Sequence, residues 1–204
     1  MGYSTIIWDL SEVIVSGYYG SEHTVERLAN IPSQEFRARR EELNPMFMEL
    51  MRGKVCEMDY FDIMISGTGW NIKPEHLREV VWQNLNHPVE GTLSILKSLL
   101  GRFKLILVSD YVKSWAEYME KQNPELLMMF DKIYFSCDTG LLKQDKGLFS
   151  HVLLNSEIVP NQAIFVDDFD LNVQTASTYG INSVLFYNAE SLRSEFYQRF
   201  GIRV

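Results

Sequence analysis

Thr5-Ile6-Ile7-Trp8-Asp9-Leu10-Ser11-Glu12-Val13-Ile14-Val15 decides how the chain is read. An apolar run passes straight into a carboxylate. A Ser-Glu pair then makes a turn, and further apolar residues follow. A short apolar run of this kind reads as a strand buried on both faces of a parallel sheet, here with Asp9 at its carboxyl end. In open α/β sheets, ligands bind outside that end. An Asp in this place also serves simply to end a strand or cap a helix, so the remaining chain must choose between the two roles.

Working outward, four more short apolar runs read as strands. They are Phe103–Val108, ending in Ser109-Asp110; Asp131–Phe135; Ala163–Val166, ending in Asp167-Asp168; and Asn182–Phe186. Helical patterns separate them. Thr92–Leu100 places Leu93, Leu96, Leu99 and Leu100 inward. Others run from about 112 to 121 and from 147 to 154, and one with Val173, Ala176 and Tyr179 closes at Gly180. The last ends near Phe200. Strands alternating with helices imply a parallel sheet. The predicted fold is α/β, a Rossmann-like doubly wound core. Residues 16–87 hold no convincing strand. Their helical patterns, with starts at Pro32 and Pro74, read as a small bundle inserted after the first strand. His87-Pro88-Val89-Glu90-Gly91 is the predicted return hinge. The expected domains are therefore 1–15 with 88–204, and 16–87.

The formal net charge of −8 disfavours nucleic acid and anionic membranes as partners. Arg37, Arg39 and Arg40 read as a solvated helix face. Cys56 and Cys137 have no metal-ligand spacing and read as reduced thiols. With no signal-like start and no run of membrane-span length, the expected location is the cytoplasm.

In a parallel sheet all carboxyl ends share one edge, so Asp9, Ser109, Lys143, Asp167 and Asp168 should converge. Three carboxylates so placed repel one another unless a cation lies between them. Hard oxygen ligands favour Mg²⁺, which also binds substrate phosphate. Lys143 and the Ser109 hydroxyl can hold phosphoryl oxygens, and Asp9 can act as a carboxylate nucleophile.

At these residues the chain resembles the haloacid dehalogenase-like hydrolases, with a helical cap in the inserted segment. Four pieces carry the resemblance: Ile6–Val13, Leu107–Asp110, Gly140–Asp145 and Ile164–Asn172. Leu50-Met51-Arg52-Gly53-Lys54, followed by Asp59-Tyr60-Phe61, is similar to a cap stretch of that group. The resemblance implies a phosphatase acting on a small phosphorylated metabolite through an aspartyl-phosphate. It implies Asp9 as nucleophile and Mg²⁺ ligand, and Ser11 as a ligand through its carbonyl. Ser109 would bind phosphate with Asp110 beside it, and Lys143 would neutralise charge. Asp168 would be the acidic metal ligand, with Asp167 a second ligand or a support, and Asn172 sits where a carboxylate or amide often stands. Lys143 is preferred to Lys146 for its spacing from Gly140.

One position departs from the pattern. These phosphatases usually carry an Asp two residues after the nucleophile as general acid and base, and here that residue is Ser11. A hydroxyl cannot replace a carboxyl in that role, which typically contributes about 10²–10⁴-fold. Glu12 is the nearest substitute. Two other readings follow. One is a catalytically impaired protein that binds a phosphorylated ligand or partner. The other is different chemistry, namely dehalogenation, which Asp167-Asp168 argues against, or phosphonate cleavage with Lys54 or Lys73.

Overall fold

In the computed structural model, which describes residues 2–204, β1 (Thr5–Trp8) is the middle strand of a five-stranded, wholly parallel sheet. Five helices follow it: α1 (Glu22–Ala29), α2 (Ser33–Glu42), α3 (Asn44–Met51), α4 (Glu57–Ile65) and α5 (Pro74–Trp82). The chain then runs α6 (Thr92–Leu99), β2 (Lys104–Ser109), α7 (Lys113–Gln122), α8 (Pro124–Leu127), β3 (Lys132–Phe135) and α9 (Ser136–Thr139). It ends with α10 (Leu148–Asn155), β4 (Ala163–Asp167), α11 (Asp170–Thr178), β5 (Asn182–Leu185) and α12 (Ala189–Phe200). The strand order is β3-β2-β1-β4-β5. The order reverses between β1 and β4, which is where doubly wound sheets open a crevice at their carboxyl edge.

The twofold period of the strands builds two apolar layers. Ile6 and Trp8 join Leu105, Leu107, Ile164 and Val166 on one face. Ile7, Ile106, Val108 and Phe165 face the other way, against Leu148, Phe149 and Val152 of α10 and Ala176 of α11. Both faces are covered, which is why the strand sequences are continuously apolar rather than alternating.

The segments entering and leaving the five-helix insertion pair with each other. The Ser16 N–H donates to His87 O at 2.7 Å, and the Val89 N–H to Ile14 O at 2.9 Å. The aromatic residues of the insertion form its core and continue onto α7. Tyr18 lies 4.8 Å from Phe47 and 5.6 Å from Trp115 between ring centroids. Glu57, the buried first residue of α4, accepts hydrogen bonds from the indoles of Trp82 on α5 and Trp115 on α7 and from the Ser114 hydroxyl.

One inward assignment needs correction. Leu100 is 42% exposed. Helix α6 stops at Leu99, and Leu100 turns to extended backbone (ψ 134°) ahead of left-handed Gly101, so it leaves the helical face that its spacing implied. The short helices α8 and α9 fall where the pattern showed none. Cys56 and Cys137 are unpaired thiols. No helix among the described residues is long and apolar enough to cross a membrane.

Candidate active site

Asp9 is the first residue beyond β1, and its N–H still donates to Val166 O of β4 at 2.9 Å. The chain then folds sharply back, with the Ile14 and Val15 N–H groups both donating to Leu10 O. Glu12 takes the left-handed conformation this turn demands (φ 61°), a conformation that disfavours a side chain. Its carboxylate accepts the Gly17 N–H at 2.9 Å and so ties the turn to the start of the insertion. Position 17 must be glycine, because a Cβ there would stand 2.9 Å from the Ser11 Cβ.

Lys143 arrives from the loop after α9, which Gly140 ends in a left-handed cap. Its Nζ lies 2.6 Å from Asp9 Oδ1 and 2.6 Å from Asp167 Oδ2, with only 2% of the residue exposed. The loop is held by carboxylates. The Lys143 N–H donates to Asp110 Oδ1 at 3.0 Å and the Leu142 N–H to Asp145 Oδ2 at 2.8 Å. Asp145 in turn receives a two-pronged bond from Arg52 at the end of α3, with Nη2 to Oδ1 at 2.7 Å and Nε to Oδ2 at 3.1 Å. The insertion is thereby fixed to the loop that carries Lys143. Nearby, Ser136 Oγ donates to Met51 O, and a Cβ on Gly53 would strike Cys137 O at 2.7 Å.

Asp167 is fully buried, and both its oxygens are occupied. Oδ1 accepts from the Phe169 N–H and from Asn172 Nδ2, and Oδ2 from Lys143. Asp168 next to it is exposed. Asp9, Asp167 and Asp168 each offer an oxygen within 4.8 Å of the others. Burial raises Asp9 well above the usual carboxylate range, Lys143 opposes this, and Asp167 and Asp168 add to it. Partial desolvation on the cavity wall, though the side chain still meets solvent, and then Asp167 push Asp168 up to about 6. Burial opposes the charge on Lys143, yet Asp167, Asp9 and Asp110 hold its ammonium above the ordinary lysine range. Asp9 and Asp167 thus share one ammonium, with Asp168 close by.

A cavity of about 400 Å³ opens here. Asp9, Ser11, Asp110, Lys143 and Asp168 all line it, as does Glu12. Ser109 and Asp167 lie behind this wall. Ser109 Oγ is buried with no hydrogen-bond partner, and Asn172 Oδ1, on the wall itself, is another buried acceptor without a donor. Lys146 and Lys73 are exposed away from the cavity, and Lys54 pairs with Glu49 at 3.0 Å. Tyr19, Met51, Gln144 and Phe169 complete the lining, and periodicity had not singled them out. Arg52, Asp145 and Glu57 were also missed as positioning groups. Arg52-Gly53 did stand within the quoted cap-like stretch, whereas Glu57 carried no sequence signal.

The same fold occurs in known structures. A HAD family enzyme of Bacteroides thetaiotaomicron superposes with a TM-score of 0.78 at 18% identity, over 96% of this chain and 99% of that one. The chain has the haloacid dehalogenase-like hydrolase fold. A predicted HAD-like family hydrolase of Porphyromonas gingivalis covers the whole of both chains at a TM-score of 0.76 and 21% identity. In sequence, a D-ribitol-5-phosphate phosphatase of B. thetaiotaomicron is 24% identical over 157 residues, 74% of this chain and 75% of that protein. The bifunctional epoxide hydrolase 2 of Rattus norvegicus is 31% identical over 166 residues, 72% of this chain. The chain spans 29% of that relative, so it corresponds to a part of it. No protein-family model matches the sequence. Asp9, Lys143 and Asp168 occupy the carboxyl edge of this haloacid dehalogenase-like sheet.

Proposed function

We propose that the protein is a Mg²⁺-dependent phosphatase that hydrolyses a small phosphoric monoester through a phosphoryl group carried on Asp9. The observation that carries this is the cluster at the sheet edge. A buried ammonium stands 2.6 Å from both Asp9 and Asp167, with Asp168 alongside. Two further facts support the reading. A sequence relative is named as a phosphatase of D-ribitol 5-phosphate. A structural neighbour was solved with magnesium and inorganic phosphate, at a TM-score of 0.74.

The residues present fit the metal. Three carboxylates gather beside a single ammonium, and Asn172, whose buried Oδ1 lacks a partner, also lines the cavity. Asp9, Asp168 and the Ser11 carbonyl would hold Mg²⁺. Asp167, whose oxygens are already bonded, would support the set from behind. Bound Mg²⁺ supplies charge neutralisation to the phosphoryl oxygens.

The chain's own groups do the rest. Asp9 attacks phosphorus as the bond to the leaving oxygen breaks. Lys143 stabilises the transferred charge, and Ser109, whose unpartnered hydroxyl lies one residue before Asp110 of the wall, would donate to a phosphoryl oxygen. Water then attacks the phosphoryl group, which returns the Asp9 carboxylate and inorganic phosphate. With Ser11 in place of a carboxyl, no residue two positions on hands a proton to the leaving oxygen, which takes one from solvent water. Glu12 lines the cavity with one carboxylate oxygen committed to the Gly17 N–H. Residues 16–87 would act as a cap over this site, and two unpaired thiols suit a reducing cytoplasm.

The test is phosphate release from p-nitrophenyl phosphate and from alkyl phosphates, with Mg²⁺ and with chelator. Release that needs Mg²⁺ supports the reading. Ser11 favours one alternative, a phosphate-binding protein without turnover. That alternative takes over if inorganic phosphate binds with Mg²⁺ while no ester is hydrolysed.

A further inference from the structure

The cavity has two parts of different character. Asp9 and Lys143 are buried, whereas Tyr19 and Phe169 are 53% and 51% exposed. Tyr19, Met51 and Phe169 therefore form the apolar side of its outer part, with the exposed Gln144 and Asp168 on the polar side, where the leaving group of an ester would lie. The Tyr19 ring is held in place. Arg40, 7% exposed and so not on the solvated helix face read from the sequence, donates from Nη1 to Tyr19 O at 3.0 Å and is paired with Glu22 at 3.2 Å. Its guanidinium carbon sits 4.8 Å from the Tyr19 ring centroid, and Phe47 meets the ring edge-on at 6.3 Å. A ring fixed so and still half-exposed to a cavity is a preorganised platform.

The charges of the lining point the same way. Asp9, Glu12, Asp110 and Asp168 are acidic, and Lys143 is the one cation among the lining residues. Its Nζ is already shared by two carboxylates. A second anionic group on a substrate would find no counter-charge there and would pay its desolvation unrelieved.

We propose that the alcohol part of the substrate is uncharged and lays an apolar, preferably flat, face on Tyr19, Met51 and Phe169. Arylalkyl or unsaturated alkyl monophosphates fit this description better than polyol monophosphates, and phosphates bearing a carboxylate fit it worst. Tyr19 is thereby a specificity-determining residue. This inference rests on the phosphatase reading for the position of the phosphoryl group.

Binding and turnover test it separately. With Mg²⁺ present, calorimetry compares 2-phenylethylphosphonate, a polyhydroxyalkyl phosphonate of similar size and 3-phosphonopropionate. The expected order has 2-phenylethylphosphonate tightest, by roughly five- to tenfold over the polyol, the size of one good aromatic contact, with the carboxylated ligand weakest. Tyr19→Ala should abolish that preference and Tyr19→Phe should keep it. Phe169→Ala gives a second truncation should Tyr19→Ala fail to fold. Equal or tighter binding of the polyol, or a preference that survives both truncations, overturns the inference. Turnover uses 2-phenylethyl phosphate and D-ribitol 5-phosphate, whose alcohols have similar acidity. Faster release from the ribitol ester overturns this inference and leaves the phosphatase reading intact. A binding preference without any release does the reverse.

Discussion

Replacing Glu57 by Ala should cost the fold about 3 kcal/mol, although Glu57 lies outside the cavity. Its buried carboxylate accepts from Trp82 Nε1 at 2.8 Å, from Ser114 Oγ at 2.8 Å and from Trp115 Nε1. It is the single polar group joining α4 and α5 to α7. Truncation strands these donors. Trp115 is 3% exposed and cannot turn to water, so it bears a full desolvation penalty of about 1–3 kcal/mol. Trp82 and Ser114 are partly exposed and recover some of theirs by hydration. The apolar stem of Glu57 adds about 1 kcal/mol of lost packing. For a chain of this size, about 3 kcal/mol lowers Tm by roughly 6–12 °C. Urea unfolding followed by tryptophan fluorescence gives the number directly, because two of the donors are the reporting indoles. Trp82→Phe in both backgrounds should show a coupling of about 1–2 kcal/mol. A loss below about 1 kcal/mol, or no coupling, would refute the argument that these donors depend on one buried carboxylate.

The ion pair between Arg52 and Asp145 should give a coupling of about 1 kcal/mol in a double-mutant cycle with Arg52→Met and Asp145→Asn, modest because both ends are partly exposed. Burial would raise the Asp145 carboxyl, but the Arg52 guanidinium and the Leu142 N–H hold it below the usual range. The stability this adds is therefore complete above about pH 4 and lost as pH falls through the lower folded value. Acid unfolding should be steeper in wild type than in Asp145→Asn below about pH 4, with parallel profiles above pH 5. Asp110 has the opposite sign. Burial pushes it up to about 6. The folded state then holds the extra proton between about pH 4 and 6, and stability falls as pH rises through that window. Without added metal, Asp110→Asn should gain on wild type by about 1–3 kcal/mol from pH 4 to pH 7 in urea titrations. Ser11→Asp should accelerate hydrolysis of alkyl phosphates by about 10–10³-fold and of p-nitrophenyl phosphate far less, since a good leaving group needs no proton. Equal acceleration of both would contradict the assignment of position 11.

The fold was legible because its strands are buried on both faces. Ile6-Ile7-Trp8 and Ala163–Val166 have no polar face to blur them, and each ends in the carboxylates that gather at the sheet edge. The convergence of Asp9, Lys143 and Asp168 then follows from topology alone. The outer cavity was not legible for the same reason that the core was. Tyr18 and Tyr19 are adjacent aromatic residues with identical patterns, yet one is buried against Phe47 and the other stands in the cavity. Only the fold of the turn that Arg40 fixes separates them. The Arg52–Asp145 pair spans 93 positions, and no local spacing announces it. Leu100 shows the converse error, since a helical stripe was extended past the point where the backbone leaves the helix.

The central claim is that Asp9 carries the phosphoryl group. Its most direct test is phosphate release from p-nitrophenyl phosphate with Mg²⁺, by wild type and by Asp9→Asn, once equal unfolding profiles have shown both to be folded. The account predicts Mg²⁺-dependent release by wild type and none by Asp9→Asn. Release retained by Asp9→Asn would contradict it.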